Sequence, residues 1–340
     1  MFYGFGIGFT QSVESVNDLV LYAKKAEKLG FDSVWVQEGT SRSAIIVASA
    51  ILQATDTIKV GTGIVSAFRR HPEILAMEAM TLNELSNGRF ILGIGATPGL
   101  VKKYGLDFSP LQSVKDSINI IRNLVSEKEF TYDGESLPIK EPTQMIIENK
   151  SVKKYFPREK MPIYVGALGP KTLNLTGRLA DGILVTRRGG YSPEYTKYAI
   201  SKVMEGALEE GRNENEIDTL AFIESAISMD NEKAKLCIAK ILASYTIPYT
   251  QNSVLEQAGI GIHEVESIKS AWKRKDLDTA MKEVLKKDLS RFSLFGDPNA
   301  CIEKLSKYEG TGLKTPIFYL HGPDINEGIT LAAEKIVPYF

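Results

Sequence analysis

Hydrophobic residues along this chain fall into two alternating rhythms. Short runs are rich in β-branched and aromatic residues; in longer stretches apolar positions recur every three or four residues. The first rhythm predicts strands and the second amphipathic helices. Tyr3 to Gly8 opens as a strand. Ser15 to Leu29 follows as a helix, with Val16, Leu19, Val20, Ala23, Ala26 and Leu29 on one face and Gly30 as its stop. Ser33 to Val36 is a second strand and Ala44 to Ala54 a small apolar helix. The most informative segment runs from Ile58 to Ile74. Ile58, Val60 and Ile64 mark a third strand, and Gly61 and Gly63 interrupt it near its end. A polar loop follows, and Pro72 suits the first turn of a helix reaching Leu85. Asn87 and Gly88 close that helix. The continuous apolar run from Arg89 to Gly95 reads as a fourth strand covered on both faces.

A helix over Ser113 to Val125 completes the fourth unit. Phe130 to Pro142 then breaks the rhythm and reads as a β-hairpin turning at Asp133 and Gly134, before a polar, lysine-rich stretch from Glu141 to Lys160. The rhythm resumes with a strand at Pro162 to Val165, a helix from Lys171 to Leu179, a strand at Gly182 to Thr186 and a helix from Pro193 to Glu210. Thr219 to Ser228 is a seventh strand. A long helical region spans Asn231 to Leu294, and another helix starts at Asp297 and Pro298. Thr315 to Leu320 is the eighth strand and Ile325 to Ile336 the last helix.

Eight strands, nearly all followed by helices, predict an α/β chain folded as one domain over residues 1–340. The expected architecture is a (β/α)8 TIM barrel with insertions after strands 4 and 7, a hairpin and loop at 127–161 and helices at 231–294. An open dinucleotide-binding sheet fits less well, because Pro98 stands where the third glycine after Gly93 and Gly95 belongs.

Composition narrows the function classes. A net charge of -1 and a pI near 6.4 advertise neither nucleic acid nor an anionic membrane as partner. Cys237 and Cys301 lie far apart in no metal-like spacing, which argues for a reducing, cytoplasmic setting and against a disulfide or metal framework. The apolar start MFYGFGIGF lacks a basic flank and a cleavage site and reads as a strand. No run approaches the roughly 18 apolar residues of a membrane span. A phosphate-binding GxxxxGK[ST] loop, an HExxH zinc motif and a GxSxG nucleophile are absent, and the histidines are His71, His263 and His321.

What remains is a series of glycine-bearing strand ends: Gly61 and Gly63, Gly93 and Gly95, Gly166 and Gly169, Gly189 and Gly190. In a barrel such loops share the C-terminal rim, where small residues admit a planar ligand and expose backbone N–H groups to phosphate. Arg187 and Arg188 add charge for a phosphate or carboxylate. The plainer alternative is that these glycines serve tight turns and the arginines are solvated.

The segments GFDSVWVQE, IKVGTGIV, RRHP, LSNGRFILGIG and PIYVGALGPKTLNLTGRLADGIL resemble the bacterial-luciferase-like superfamily over nearly the whole chain. Within it they are most similar to the branch using the deazaflavin coenzyme F420, methylenetetrahydromethanopterin reductases especially. The resemblance implies a barrel with the ring cofactor at its C-terminal rim and hydride transfer to or from a small organic molecule. FMN and monooxygenase chemistry, or a non-catalytic flavin-binding relative, are the alternatives. It implies a cis peptide at Gly63 and Ile64, a cofactor-lining loop at Gly95, Ala96 and Thr97, and a phosphate site at Gly166, Ala167, Leu168, Gly169, Pro170, Lys171 and Thr172. Arg187 is a further cofactor candidate and Glu38 the catalytic candidate. A homodimer or homotetramer is implied as well. The chain departs from the reductase pattern at Gly8, where a glutamate ends the first strand, and at Gly39, where many deazaflavin relatives carry histidine.

Overall fold

The computed structural model describes residues 2–9, 15–39, 41–126, 128–145 and 161–340. Its strands, in chain order, are β1 (Gly6–Phe9), β2 (Ser33–Val36), β3 (Lys59–Thr62), β4 (Val65–Ser66), β5 (Phe90–Gly95), β6 (Phe130–Tyr132), β7 (Ile139–Thr143), β8 (Ile163–Ala167), β9 (Gly182–Val185), β10 (Asp218–Ile227), β11 (Leu294–Gly296) and β12 (Thr315–Leu320). Eight parallel strands with helices between them close into a TIM barrel, as the strand–helix rhythm predicts, with β4 resuming β3 after a short break. Contacts group the residues into two compact units. One comprises Met1–Val34, Leu184–Lys202 and Asp218–Phe340, the other Trp35–Ile183 and Val203–Ile217.

In the second unit β5 pairs in parallel with β3, β4 and β8, in a register that sets Gly95 opposite Gly166. Apart from Lys59 at the start of β3 these strands are buried throughout, with Val60, Leu92, Ile94, Ile163 and Val165 fully covered, which is why the sequence shows apolar runs here rather than alternation. Helices Ala44–Ala54 and Pro72–Ser86 match the sequence expectation to within a residue. The second is closed by Asn87 at φ 55° and Gly88 at φ 85°, left-handed values that asparagine and glycine tolerate. Arg89 ties these helices to the start of β5. Its Nε donates to Ser86 O, its Nη1 to Thr55 Oγ1 and Ile58 O, and its Nη2 to Leu52 O and Thr55 O. The carbonyls that end a helix have no partner within it, so one guanidinium supplies donors to both helix ends.

Two expectations in this unit are corrected. Pro98–Tyr104 forms an additional short helix, and the next helix starts at Pro110, three residues before Ser113, where Ser109 caps it. The hairpin β6–β7 exists, but it is joined by residues 133–138 rather than by a tight turn at Asp133 and Gly134. The reason is Asp116, buried on the adjoining helix. Its carboxylate accepts from Ser136 N at 2.8 Å, Leu137 N at 3.0 Å and the Tyr132 hydroxyl at 3.0 Å, so the loop's amides bond to a side chain instead of across a turn. Of the polar stretch from Glu141 to Lys160, residues 146–160 lie outside the described residues.

In the first unit β12 lies between β1 and β10, and β11 adds to the other edge of β10. The first strand begins three residues later than predicted. The long helical region divides into a continuous helical stretch of Asn231–Ile241, a π-helical turn Leu242–Thr246 and Ile247–Tyr249, then helices Asn252–Gln257, Ile262–Lys273 and Leu277–Leu285, broken at Thr250 and at Gly259 with its positive φ. It ends in a strand, β11, where a helix was expected to end. No helix among the described residues is long and apolar enough to cross a membrane.

Arg89→Ala removes donors from four helix- and strand-end carbonyls at once. We expect it to lower unfolding free energy by at least about 2 kcal/mol in urea titration. A loss below about 0.5 kcal/mol would show that the arginine is not a structural tie.

Candidate active site

The second unit contains a break between β3 and β4 on which its other features converge. The Gly63–Ile64 peptide is cis, as the resemblance implies. The ladder between β3 and β5 stops at Gly61 and resumes at Val65. Across this gap the buried hydroxyl of Thr62 replaces a backbone partner. It accepts from Gly93 N and donates to Gly93 O, both at 2.8 Å, so neither group is orphaned. Gly63 N donates to Val36 O at 2.8 Å, fixing the break against β2.

The strand-end glycines turn out to make room for the protein itself. A Cβ on Gly95 would overlap Ile64 Cδ1, and one on Gly166 would lie 2.9 Å from Ile64 Cγ2, so the Ile64 side chain rests on both glycines. Gly61 receives the Trp35 ring and Gly190 the backbone of Phe222. Of these positions and Gly169, Gly169 is the one where a Cβ would meet open space. Gly169 precedes helix Pro170–Leu179, whose N-terminus has no side-chain cap. Pro170 has no N–H, which leaves the first-turn amides of Lys171 and Thr172 for an external acceptor. Ala167 is buried at the end of β8, while Leu168 and Thr172 are half-buried and Lys171 exposed. Beside them, Ala96 and Thr97 are half-buried, and Thr97, at φ 36°, donates through Oγ1 to Ser66 Oγ at 2.8 Å.

Glu38 is differently placed from a free acid or base. Its two oxygens are held at 2.8 Å by Nη1 and Nη2 of Arg70, and its side chain is 6% exposed. Arg70 also reaches Ser43 Oγ at 3.2 Å and Glu78 Oε2 at 3.4 Å. The hydrogen bond that Arg70 donates to Glu38 raises the arginine's pKa, whereas burial raises that of Glu78. A bidentate, largely buried carboxylate is a structural anchor. Proton transfer by Glu38 would require that pair to open.

Arg187 belongs to the first unit, and it is not a spare cation. Its Nε lies 3.1 Å from Glu224 Oε1, an ion pair rather than an aligned hydrogen bond, and its guanidinium carbon sits 4.3 Å from the ring centroids of Tyr245 and Tyr319. Glu224, fully buried on β10, also accepts from Thr246 Oγ1 at 2.8 Å and contacts His321 Nε2 at 2.6 Å. Burial opposes ionisation of Glu224, but Arg187 and His321 outweigh it and its pKa is lowered. Burial, joined by the nearby Arg187 charge, lowers the His321 pKa against the opposing effect of Glu224. Sequence reasoning passed over Glu224 as one letter in a strand. The available signal was an acid inside the apolar run AFIESAI, which cannot stay buried unpaired. Gly8, on β1, is covered by the Tyr319 ring, which leaves no room for the glutamate of the reductase pattern. The described residues contain no cluster of three or more ligating side chains suited to a metal.

The luciferase-like monooxygenase family model matches residues 2–315. The chain is 30% identical over 344 residues to 5,10-methylenetetrahydromethanopterin reductase of Methanolobus tindarius, covering 98% of this chain and 99% of the relative. It is 26% identical to F420-dependent glucose-6-phosphate dehydrogenase of Microbacterium testaceum, over 95% of this chain and 93% of that one. Among solved structures, the coenzyme F420 dependent tetrahydromethanopterin reductase of Methanopyrus kandleri superposes with a TM-score of 0.86 at 26% identity, over the full length of both chains.

Gly95→Ala should destabilise the protein by about 1–3 kcal/mol, because the added methyl overlaps Ile64 Cδ1. Ile64→Val removes that atom, so the double variant should regain most of the loss in a double-mutant cycle of unfolding free energies. Additive losses would mean that the two side chains do not compete for one space.

Proposed function

From the premise that the chain belongs to the luciferase-like monooxygenase family, we propose that it is an F420-dependent oxidoreductase acting on a small organic molecule. The observation that carries this reading is the uncapped helix start at Gly169–Thr172, beside an open glycine. A helix N-terminus with free amides and no competing side chain fits a phosphate. A carboxylate or hydroxyl cap there would have closed the site. The resemblance to enzymes whose names carry F420 then selects the phosphate-bearing ring.

In this assignment the amides of Lys171 and Thr172 hold the phosphate, and the ammonium of Lys171 adds charge. Ala96, Thr97, Ala167 and Leu168 line the approach. Gly63 and Ile64 form an apolar backstop seated on Gly95 and Gly166, and Pro170 sets the first turn. Arg187, neutralised by Glu224, is left out of the cofactor contacts, and Glu38 holds Arg70. The bound deazaflavin supplies two-electron hydride chemistry. The protein positions it and shields it from water. The substrate need not be the pterin of the reductases, since relatives of similar identity act on a pterin and on a sugar phosphate.

We also assign this enzyme to the cytoplasm, as a homodimer or homotetramer. Helices Ala44–Ala54 and Pro72–Ser86 present an apolar groove lined by Ile45, Ile46, Met77 and Leu82, with Ile46 71% exposed and Met77 45%. A second copy of the chain would cover it.

Equilibrium titration of the purified protein with F420 and with FMN should show tight F420 binding and weaker FMN binding. Gly169→Leu should weaken F420 by at least about tenfold, near 1.4 kcal/mol. Preference for FMN would instead favour flavin monooxygenase chemistry, and unchanged affinity in the variant would remove the phosphate site. In light scattering the protein should run as a dimer or larger, and Ile46→Asp should shift it toward monomer. A monomeric wild type would refute the oligomer.

A further inference from the structure

We propose that Lys304 is a site of covalent modification, a nucleophilic amine that accepts the acyl group of a small acyl phosphate. The site lies wholly within the first unit and is independent of the F420 assignment.

The lysine stands on the face that its helix turns to the core. Helix Pro298–Ser306 buries Cys301, Lys304 and Leu305, and Tyr308 continues the same stripe one turn on. Cys301, Leu305 and Tyr308 are fully covered, and Lys304 is 7% exposed. A lysine buried this far ordinarily has a carboxylate partner or several acceptors. Lys304 has neither among the described residues. Its Nζ stands 6.0 Å from the centroid of the Tyr308 ring, at the limit of a cation–π contact. The phenol offers nothing more, because its hydroxyl donates to Gly190 O at 2.7 Å. Nζ is not among the enclosed polar atoms that lack a partner, so the tip of the side chain reaches accessible space.

The charged groups facing the amine are Glu194 from helix Pro193–Glu209, Asp288 and Arg291 from the turn before β11, and Lys307 from the end of its own helix. Each is committed elsewhere. Ser192 Oγ donates to Glu194 at 2.8 Å, and Ser290 N and Oγ donate to Asp288 Oδ1 at 3.0 and 2.7 Å. Arg291 donates to Glu264 Oε2 at 2.6 Å and to Gly259 O at 2.8 Å, and Lys307 lies 3.6 Å from Glu303 Oε1. Two anions and two cations cancel, so no net counter-charge holds a proton on Nζ. Burial therefore lowers the Lys304 pKa to about 8, against the pull of Glu194.

In the reaction the Nζ lone pair attacks the carbonyl carbon of the acyl phosphate. An N–C bond forms and the bond from that carbon to the bridging oxygen breaks. Phosphate leaves with the electron pair and takes up the proton that Nζ releases, with nothing oxidised or reduced. The product is a neutral amide, which costs less to bury than an ammonium. Carbon dioxide would instead leave a carbamate anion, which the same burial disfavours. An exposed lysine gains no such relief, and near neutral pH its lone pair stays protonated.

The test is to incubate the folded wild-type protein with acetyl phosphate and follow the occupancy of each lysine by peptide mass spectrometry. At pH 8, near the midpoint of the buried amine, Lys304 should acetylate at least about threefold faster than the exposed Lys24 and Lys59. Its rate should level off above about pH 8, whereas theirs should keep rising toward about pH 10. In denaturing urea the preference should vanish, because the fold creates it. A rate at Lys304 no greater than at Lys24 and Lys59 in the folded protein would overturn the proposal. So would a preference that persists in urea, or a Lys304 rate that climbs with pH in parallel with the exposed lysines.

Discussion

The contact between the Ile64 side chain and the two glycines beneath it ties the break between β3 and β4 to β5 and β8. Gly95 and Gly166 are register partners on β5 and β8. Either one with a side chain would displace Ile64, and with it the break between β3 and β4. Thr62 bonding to both backbone groups of Gly93 holds the same break from the other side. In the assignment proposed above, this packed Ile64 is the surface offered to the ring.

A second constraint, in the first unit, is the burial of a full negative charge. Glu224 cannot sit inside β10 without a cation and donors, and the chain provides Arg187, Thr246 and His321. Each comes from a different element, so the cluster also fixes the segment after β9, the helical insertion and the end of β12 against β10. Buried pairs of this kind add little net stability, because desolvation cancels much of the attraction.

Much of the fold was legible because parallel barrel strands are apolar throughout and the helices between them are punctuated. Gly30, Asn87, Gly88 and the prolines at 72, 170, 193 and 298 mark helix ends for steric reasons that hold in any context. The position of the cis peptide was legible by resemblance. The meaning of the glycines was not. A glycine says that something comes close but not what, and at 61, 95, 166 and 190 the visitor is the protein's own tryptophan, isoleucine or backbone. The hairpin loop was misjudged for a similar reason, since Asp116 satisfies its amides from a different element. Glu38 and Arg70 lie 32 residues apart and Glu224 and His321 lie 97 apart, so neither pairing leaves a local pattern.

The central claim is that the helix start at Pro170 and the Gly63–Ile64 backstop hold one deazaflavin. A crystal structure of the protein grown with oxidised F420 tests it most directly. The account predicts phosphate density within hydrogen-bond distance of the Lys171 and Thr172 amides, with the ring system against Ile64 and no contact from Arg187. Phosphate density away from that helix start, or a ring that leaves Ile64 uncovered, would contradict it.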